Sequence, residues 1–228
     1  MTYREIVYLC LDELKGMSDD FSFNEDHVMF LCDKYRAFLL KQRYHDDLRK
    51  IVPESNYQTM CLDLIEVPAV SGSECEGGSY LRSVKKIPVT MPVGTPRVYP
   101  VDYYQGNIAL VSRDRMRFVG FNRWMGNIIY CSIAPDGYLY FKSGNPQFLY
   151  LEKVRFTAVF ENPKEVSSLS CDGDNSQCDV LDRTFPIEEA LVPPLVELVV
   201  KELGGVEYNP SDETNNANDD LDEMRMRK

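Results

Sequence analysis

No apolar run approaches the roughly 18 residues that a bilayer-spanning helix needs, so a membrane protein of helices is excluded. Histidine is nearly absent. His27 and His45 are the only two, and neither has a histidine or cysteine at ligand spacing, so both read as solvated helix side chains. Gly72, Gly77 and Gly78 are not followed by Lys-Ser/Thr at a helix start, which removes a phosphate cradle. No Gly-x-Ser-x-Gly elbow presents a nucleophile. Asp172-Gly173-Asp174-Asn175-Ser176-Gln177 opens like a calcium loop. However, Gln177 stands where the sharp turn needs glycine, and Arg183 where the bidentate glutamate belongs. That segment reads as a polar surface loop. The expectation is therefore of no catalytic residue, no metal and no cofactor.

The seven cysteines, at 10, 32, 61, 75, 131, 171 and 178, never fall in Cys-x-x-Cys or Cys-x-x-x-Cys spacing. Cys10 and Cys32 lie on apolar helix faces, Cys61 and Cys131 in strand-like runs. All four read as small core hydrophobes in a reducing compartment. Cys171 and Cys178 bracket a polar loop and could approach each other, with free thiols the preferred reading. Met1-Thr2-Tyr3-Arg4-Glu5 carries an acid and runs straight into a helical pattern, so no secretory signal is expected. Aromatic content of 11% and hydrophobic content of 44% are too high for a chain disordered throughout.

The formal charge of −11 argues against general nucleic-acid binding. It is unevenly spread: residues 1–56 carry −3, residues 57–160 +3 and residues 161–228 −11. In the first segment Thr2 and Glu5 form a capping box. Ile6, Leu9, Cys10 and Leu14 follow at helical spacing, with Gly16 as the stop. Val7, Tyr8 and Leu11 make this helix apolar on more than one face. A second helix starts at Asn24, buries Val28, Leu31, Cys32, Tyr35 and Leu39, and ends near Tyr44. From Tyr57 the pattern turns strand-like: 57–67, 80–87, 107–112, 127–133, 138–143 and a long 149–160. Pro135-Asp136-Gly137 marks a hairpin turn.

Prolines at 88, 92, 96 and 100 enforce an extended, turn-rich path. Residues 161–184 read as loop. Pro186 suits a helix start until Pro193-Pro194 either breaks that helix or resets it, and a mostly apolar helix then runs to Gly204-Gly205. The expected fold is α+β: a helical bundle (two N-terminal helices plus a C-terminal helix) with an inserted antiparallel β domain and a polar C-terminal tail. The boundaries are 1–56 for the N-terminal helices and 57–160 for the β domain. Residues 161–205 hold the loop and the helix completing the bundle, and 206–228 the tail. Leu221, Met224 and Met226 are the only large apolar residues from Asn209 to Lys228, too few to fold alone.

One cluster carries a binding signal. Arg113, Arg115, Arg117 and Arg123 interleave with Asp114, Phe118, Phe121 and Trp124. Such a stretch can bind nucleic acid through phosphates and stacking. It can also anchor a protein interface, where arginine and aromatics are enriched, and the interface reading is preferred. Plain strand packing competes with both.

Several segments, in order over nearly the whole chain, resemble a ring protein of crAss-like phages: TYREIVYLCLDELK at 2–15, FLCDKYRAFLLKQRY at 30–44 and PESNYQTMCLDL at 53–64. YLRSVKKIP at 80–88, SRDRMRFVG at 112–120, NPQFLYLEKVRF at 145–156 and LVPPLVELVVKEL at 191–203 continue the resemblance. The layout is also similar in architecture to the tubular adaptor of short-tailed phages. The resemblance implies a structural virion protein that forms a head–tail connector ring beneath the portal. The ring is expected to be twelvefold, to contact the portal above and the next ring or tail protein below, and to pass double-stranded DNA without binding it specifically. It implies residence at the head–tail junction after synthesis in the host cytoplasm. The C-terminal segment would reach along the portal, which makes Leu221, Met224, Arg225 and Arg227 partner-binding candidates beside Arg113, Arg115, Arg117, Arg123 and Trp124. The alternative is a nucleic-acid-binding module using residues 113–124. Helices apolar on several faces, at 6–14 and 191–203, fit burial between copies, although a helix pair against the sheet would satisfy them too.

Overall fold

The computed structural model describes residues 1–17, 24–44, 51–68, 79–101, 108–116, 118–119, 124, 126–167, 169 and 180–207. The fold is α+β. Helix α1 spans Tyr3–Met17 and α2 spans Glu25–Tyr44. The capping box forms: the Thr2 amide donates to Glu5 Oε2 at 2.8 Å and the Glu5 amide to Thr2 Oγ1 at 3.3 Å. Asn24 starts α2 by accepting from the Asp26 amide at 3.0 Å.

Seven strands follow: β1 (Gln58–Pro68), β2 (Ser79–Ser83), β3 (Arg97–Pro100), β4 (Ile108–Leu110), β5 (Ile129–Ile133), β6 (Leu139–Ser143) and β7 (Lys153–Ala158). Short helices α3 (Arg113–Met116) and α4 (Pro163–Ser167) flank them, and α5 (Val192–Glu207) closes the described chain. The sheet order is β3-β7-β1-β2-β6-β5-β4. Its edge strands β3 and β4 approach each other, so the sheet curls nearly into a barrel. The long β1 serves two neighbours, pairing Gln58–Asp63 with β7 and Leu64–Pro68 with β2. Alternation does the rest: Met60, Leu62, Leu81, Cys131, Leu139, Phe141, Val154 and Phe156 all point inward and are buried.

Three expectations need correction. The sheet is mixed, because β4 and β5 run parallel. Neighbouring parallel strands need a crossover of a dozen or more residues, and 111–128 supplies it, so the basic-aromatic stretch is a crossover with a helical turn inside. Strand β3 lies within the proline-rich stretch, which runs extended as expected. There Tyr57 packs over Gly94, whose φ of 70° and missing Cβ leave room for the ring's hydroxyl. Arg97 lies 5.0 Å over the same ring and bonds Glu54 at 2.7 Å. Instead of one strand over 149–160, a 3-10 turn at Pro146–Tyr150 precedes β7. Finally, α4 occupies part of the expected loop, and α5 passes through Gly204-Gly205, with Pro193 and Pro194 in its first turn.

The buried side chains fall into two clusters. One joins α1, α2 and α5, which pack on one another, with Met91, Val93 and Val159 delivered from the sheet side. The other fills the curled sheet. Between them sits Arg36 of α2, fully buried. Its Nε donates to the Pro186 carbonyl at 2.5 Å, Nη1 to that of Phe160 at 2.9 Å and Nη2 to that of Asn56 at 3.4 Å. Asn56 precedes β1, Phe160 follows β7 and Pro186 leads towards α5. One guanidinium thus fastens the chain's entry to the sheet, its exit from it and the approach to α5. Burial pushes it down to about 10, still charged at neutral pH. Replacing Arg36 by methionine strands those three carbonyls and should lower stability by about 3–5 kcal/mol in urea unfolding. Arg36→Lys should lose most of the same, since one ammonium cannot span the three acceptors. A loss under about 1 kcal/mol for Arg36→Met would contradict this role for the side chain.

Candidate functional site

Reactive groups are scarce. Among the described residues no group of three or more His, Cys, Asp or Glu could hold a metal ion. Cys10, Cys32 and Cys131 are free and buried. The hydrogen bond to Cys10, then burial, pushes the Cys32 thiol up, and burial pushes Cys131 up, so neither is a ready thiolate. Cys61 departs from the expectation. It is disulfide-bonded rather than a free core thiol. His27 is exposed on the first turn of α2; His45 and the 172–177 loop lie outside the described residues. An open hollow of about 460 Å³ is lined by Asn24, Glu25, Asp26, Met29, Lys164 and Val180.

What the molecule offers is surface. In the crossover, the Met116 amide bonds the Ser112 carbonyl at 3.2 Å and the Phe118 amide that of Arg115 at 3.1 Å. Met116 and Val119 are buried and pin the turn, and α3 rests on β5. That anchoring turns Phe118 outward at 78% exposure, and Trp124 stands at 94%. Arg115 is exposed and Arg113 half-buried. The structure therefore places Arg113, Arg115 and Trp124 on one crossover that also carries the exposed Phe118. Arg117, Arg123, Leu221, Met224, Arg225 and Arg227 lie outside the described residues.

A second surface was missed in the sequence. On the outer side of β2 and β6, Arg82 stacks 4.6 Å over Tyr138, Lys86 lies 5.6 Å from the same ring, and Lys142 lies 5.5 Å over Tyr80. Tyr140 donates to Asp136 at 2.7 Å. The signal was present as Tyr or Lys at 138, 140 and 142, the polar half of an alternating strand. These cations are already engaged with rings, worth about 0.5–1 kcal/mol each at exposed sites, so the ladder stiffens the sheet's outer face.

The helices divide differently from expectation. In α5 the apolar residues Leu195, Val196, Val199, Val200 and Leu203 are buried within the chain's own fold. Uncovered apolar side chains remain on α1 (Tyr8, Leu9) and α2 (Phe30, Phe38).

A family model described as phage tail ring protein 2 matches residues 5–221 of the chain. A curated relative, "Ring protein 2" of Bacteroides phage crAss001, is 63% identical over 226 residues, which covers 99% of this chain and 100% of that protein.

Phe118 and Trp124 are 78% and 94% exposed, so alanine at either should change stability by no more than about 0.5 kcal/mol in urea unfolding. The sole tryptophan should emit as a water-exposed indole and be quenched freely by acrylamide in the isolated subunit. A buried, protected emission would contradict the placement of Trp124.

Proposed function

Because the chain belongs to the phage tail ring protein 2 family, we propose that it builds a head–tail connector ring beneath the portal. The protein is a structural ring protein of a crAss-like phage, and its family points to a non-enzymatic role. In that connector, copies stand side by side, twelve to a ring, and hand the DNA channel from the portal to the next ring or tail protein. The end-to-end identity with "Ring protein 2" carries this reading.

Three further features support it. The interior of the curled sheet is filled by side chains, so the function falls to surfaces. The exposed Phe118 and Trp124, beside Arg115, suit a protein contact in which aromatic and arginine anchors dominate. The net charge of −11 discourages a passing duplex from adhering. In this reading 1–56 and 161–205 form the helical bundle, 57–160 the β domain and 206–228 a tail that lies along the portal. Leu221, Met224, Arg225 and Arg227 would make that contact.

Mass measurement and negative-stain imaging of the purified protein, alone and with portal rings, should show closed rings seated on the portal. A monomer indifferent to the portal would overturn the connector reading. Deleting residues 209–228 should leave the melting transition in place and weaken docking to the portal, read as co-sedimentation. Undiminished docking would reduce the tail to a spacer.

A further inference from the structure

A closed ring needs two different surfaces on each subunit, each fitting the other on its neighbour, whereas a surface that fits itself stops at a dimer. The described helices offer such a pair. In α1 the side chains of Tyr3, Ile6, Val7, Cys10 and Leu14 are buried. Residues 5, 8, 9, 12 and 13 fall on the opposite side at helical spacing. That outward face carries Glu5, Tyr8, Leu9, Asp12 and Glu13, with the exposed Lys15 at its rim one heptad from Tyr8, and with Tyr8 at 45% and Leu9 at 42% exposure. In α2 the buried side is Val28, Leu31, Cys32, Arg36, Leu39 and Leu40. Its outward stripe is His27, Phe30, Lys34, Phe38 and Lys41, with Phe30 at 60% and Phe38 at 54% exposure.

Each face thus carries two large apolar side chains set among charges, and the charges are opposite. Glu5, Asp12 and Glu13 outnumber Lys15 and leave the α1 face acidic, and Lys34 and Lys41 make the α2 stripe basic. Lys34 leans on Glu202 at 3.5 Å, an exposed bridge that leaves its position on the stripe. Both helices turn their inner sides to α5 and to each other, so the two outward faces cannot meet within one chain. Resting on the ring reading above, we propose that they meet between chains: α1 of one copy lies against α2 of the next, Tyr8 and Leu9 packing beside Phe30 and Phe38. Acids of the first face then stand opposite lysines of the second. Because the contact joins unlike faces, it repeats from copy to copy until the rotation closes.

Charge reversal tests this on the full chain. One variant carries Asp12→Lys and Glu13→Lys, the other Lys34→Glu and Lys41→Glu. Under conditions where wild type assembles, each variant alone should need about tenfold or more protein to form rings. Mixed in equal amounts they should form rings again, with the two chains alternating, because each reversed face then finds its complement. Phe30→Ser with Phe38→Ser should also abolish rings while the thermal transition stays near that of wild type, which separates lost contact from lost fold. Variants that assemble like wild type, or a mixture that does not recover, would overturn the inference and leave the ring reading intact. A wild type that never assembles, with or without portal, would instead overturn the ring reading itself.

Discussion

A guanidinium shut away from water is the constraint on which the rest of this fold depends. Taking Arg36 into the interior costs several kcal/mol, and only well-placed acceptors repay it. Here the acceptors are backbone carbonyls at Asn56, where the chain enters the sheet, at Phe160, where it leaves, and at Pro186, on the approach to α5. The charge cannot be satisfied unless all three segments are in place. Two hydrophobic clusters that could have packed independently are therefore held in one relation. The surrounding polar contacts follow the same logic. Tyr44 and Arg43, at the end of α2, bond Glu188 at 2.6 and 2.8 Å, and Tyr35 bonds Glu202, so α2 is tied to α5 and to the segment before it. Tyr3 donates to Asp33 at 3.0 Å, which draws α1 onto the same helix. For a subunit that stands in a ring, a fixed relation between helices and sheet keeps the angle to each neighbour constant.

The curled sheet is a solution to an edge problem. Strands β3 and β4 end the sheet, and open edges invite pairing with other chains. Both are short, β3 ends in Pro100, and their approach leaves little room for an added strand. The sheet can then stand beside its copies in a crowded assembly without zipping to them. Recognition is left to side chains, and the exposed aromatic ones are concentrated on the crossover and on the helices.

Features that depend on neighbours in sequence were legible from residues alone. The Thr2–Glu5 box, the Asn24 cap, the turn at Asp136-Gly137 and the inward alternation of β5 to β7 each involve groups only a few positions apart. Features set by distant partners were not. Whether β4 and β5 run parallel depends on how an 18-residue crossover returns, and β3 exists because Tyr57, some forty positions away, holds its turn. Arg36 escaped notice because a single arginine in a helix ordinarily reads as solvated. Its register with Cys32, Leu39 and Leu40 on the buried side was the available sign. In the 113–124 stretch, Phe118 and Trp124 face solvent. The outer ladder of β2 and β6 passed unseen because only the register brings Arg82 opposite Tyr140.

The helical faces raise a further point about specificity. Apolar patches on a free subunit risk indiscriminate association. Charge placement limits the ways these can pair. Two α1 faces brought together set Asp12 and Glu13 against their own kind, and two α2 stripes do the same with Lys34 and Lys41. Like charges so juxtaposed cost several kcal/mol once water is squeezed out. Only the unlike pairing both buries Tyr8, Leu9, Phe30 and Phe38 and neutralises the charges around them. The same residues that favour the repeating contact therefore disfavour the symmetric dimer, which would sequester subunits in a form unable to close a ring. Placing opposite signs on two helices of one rigid body gives the surface a direction, and direction is what separates a ring from a pair.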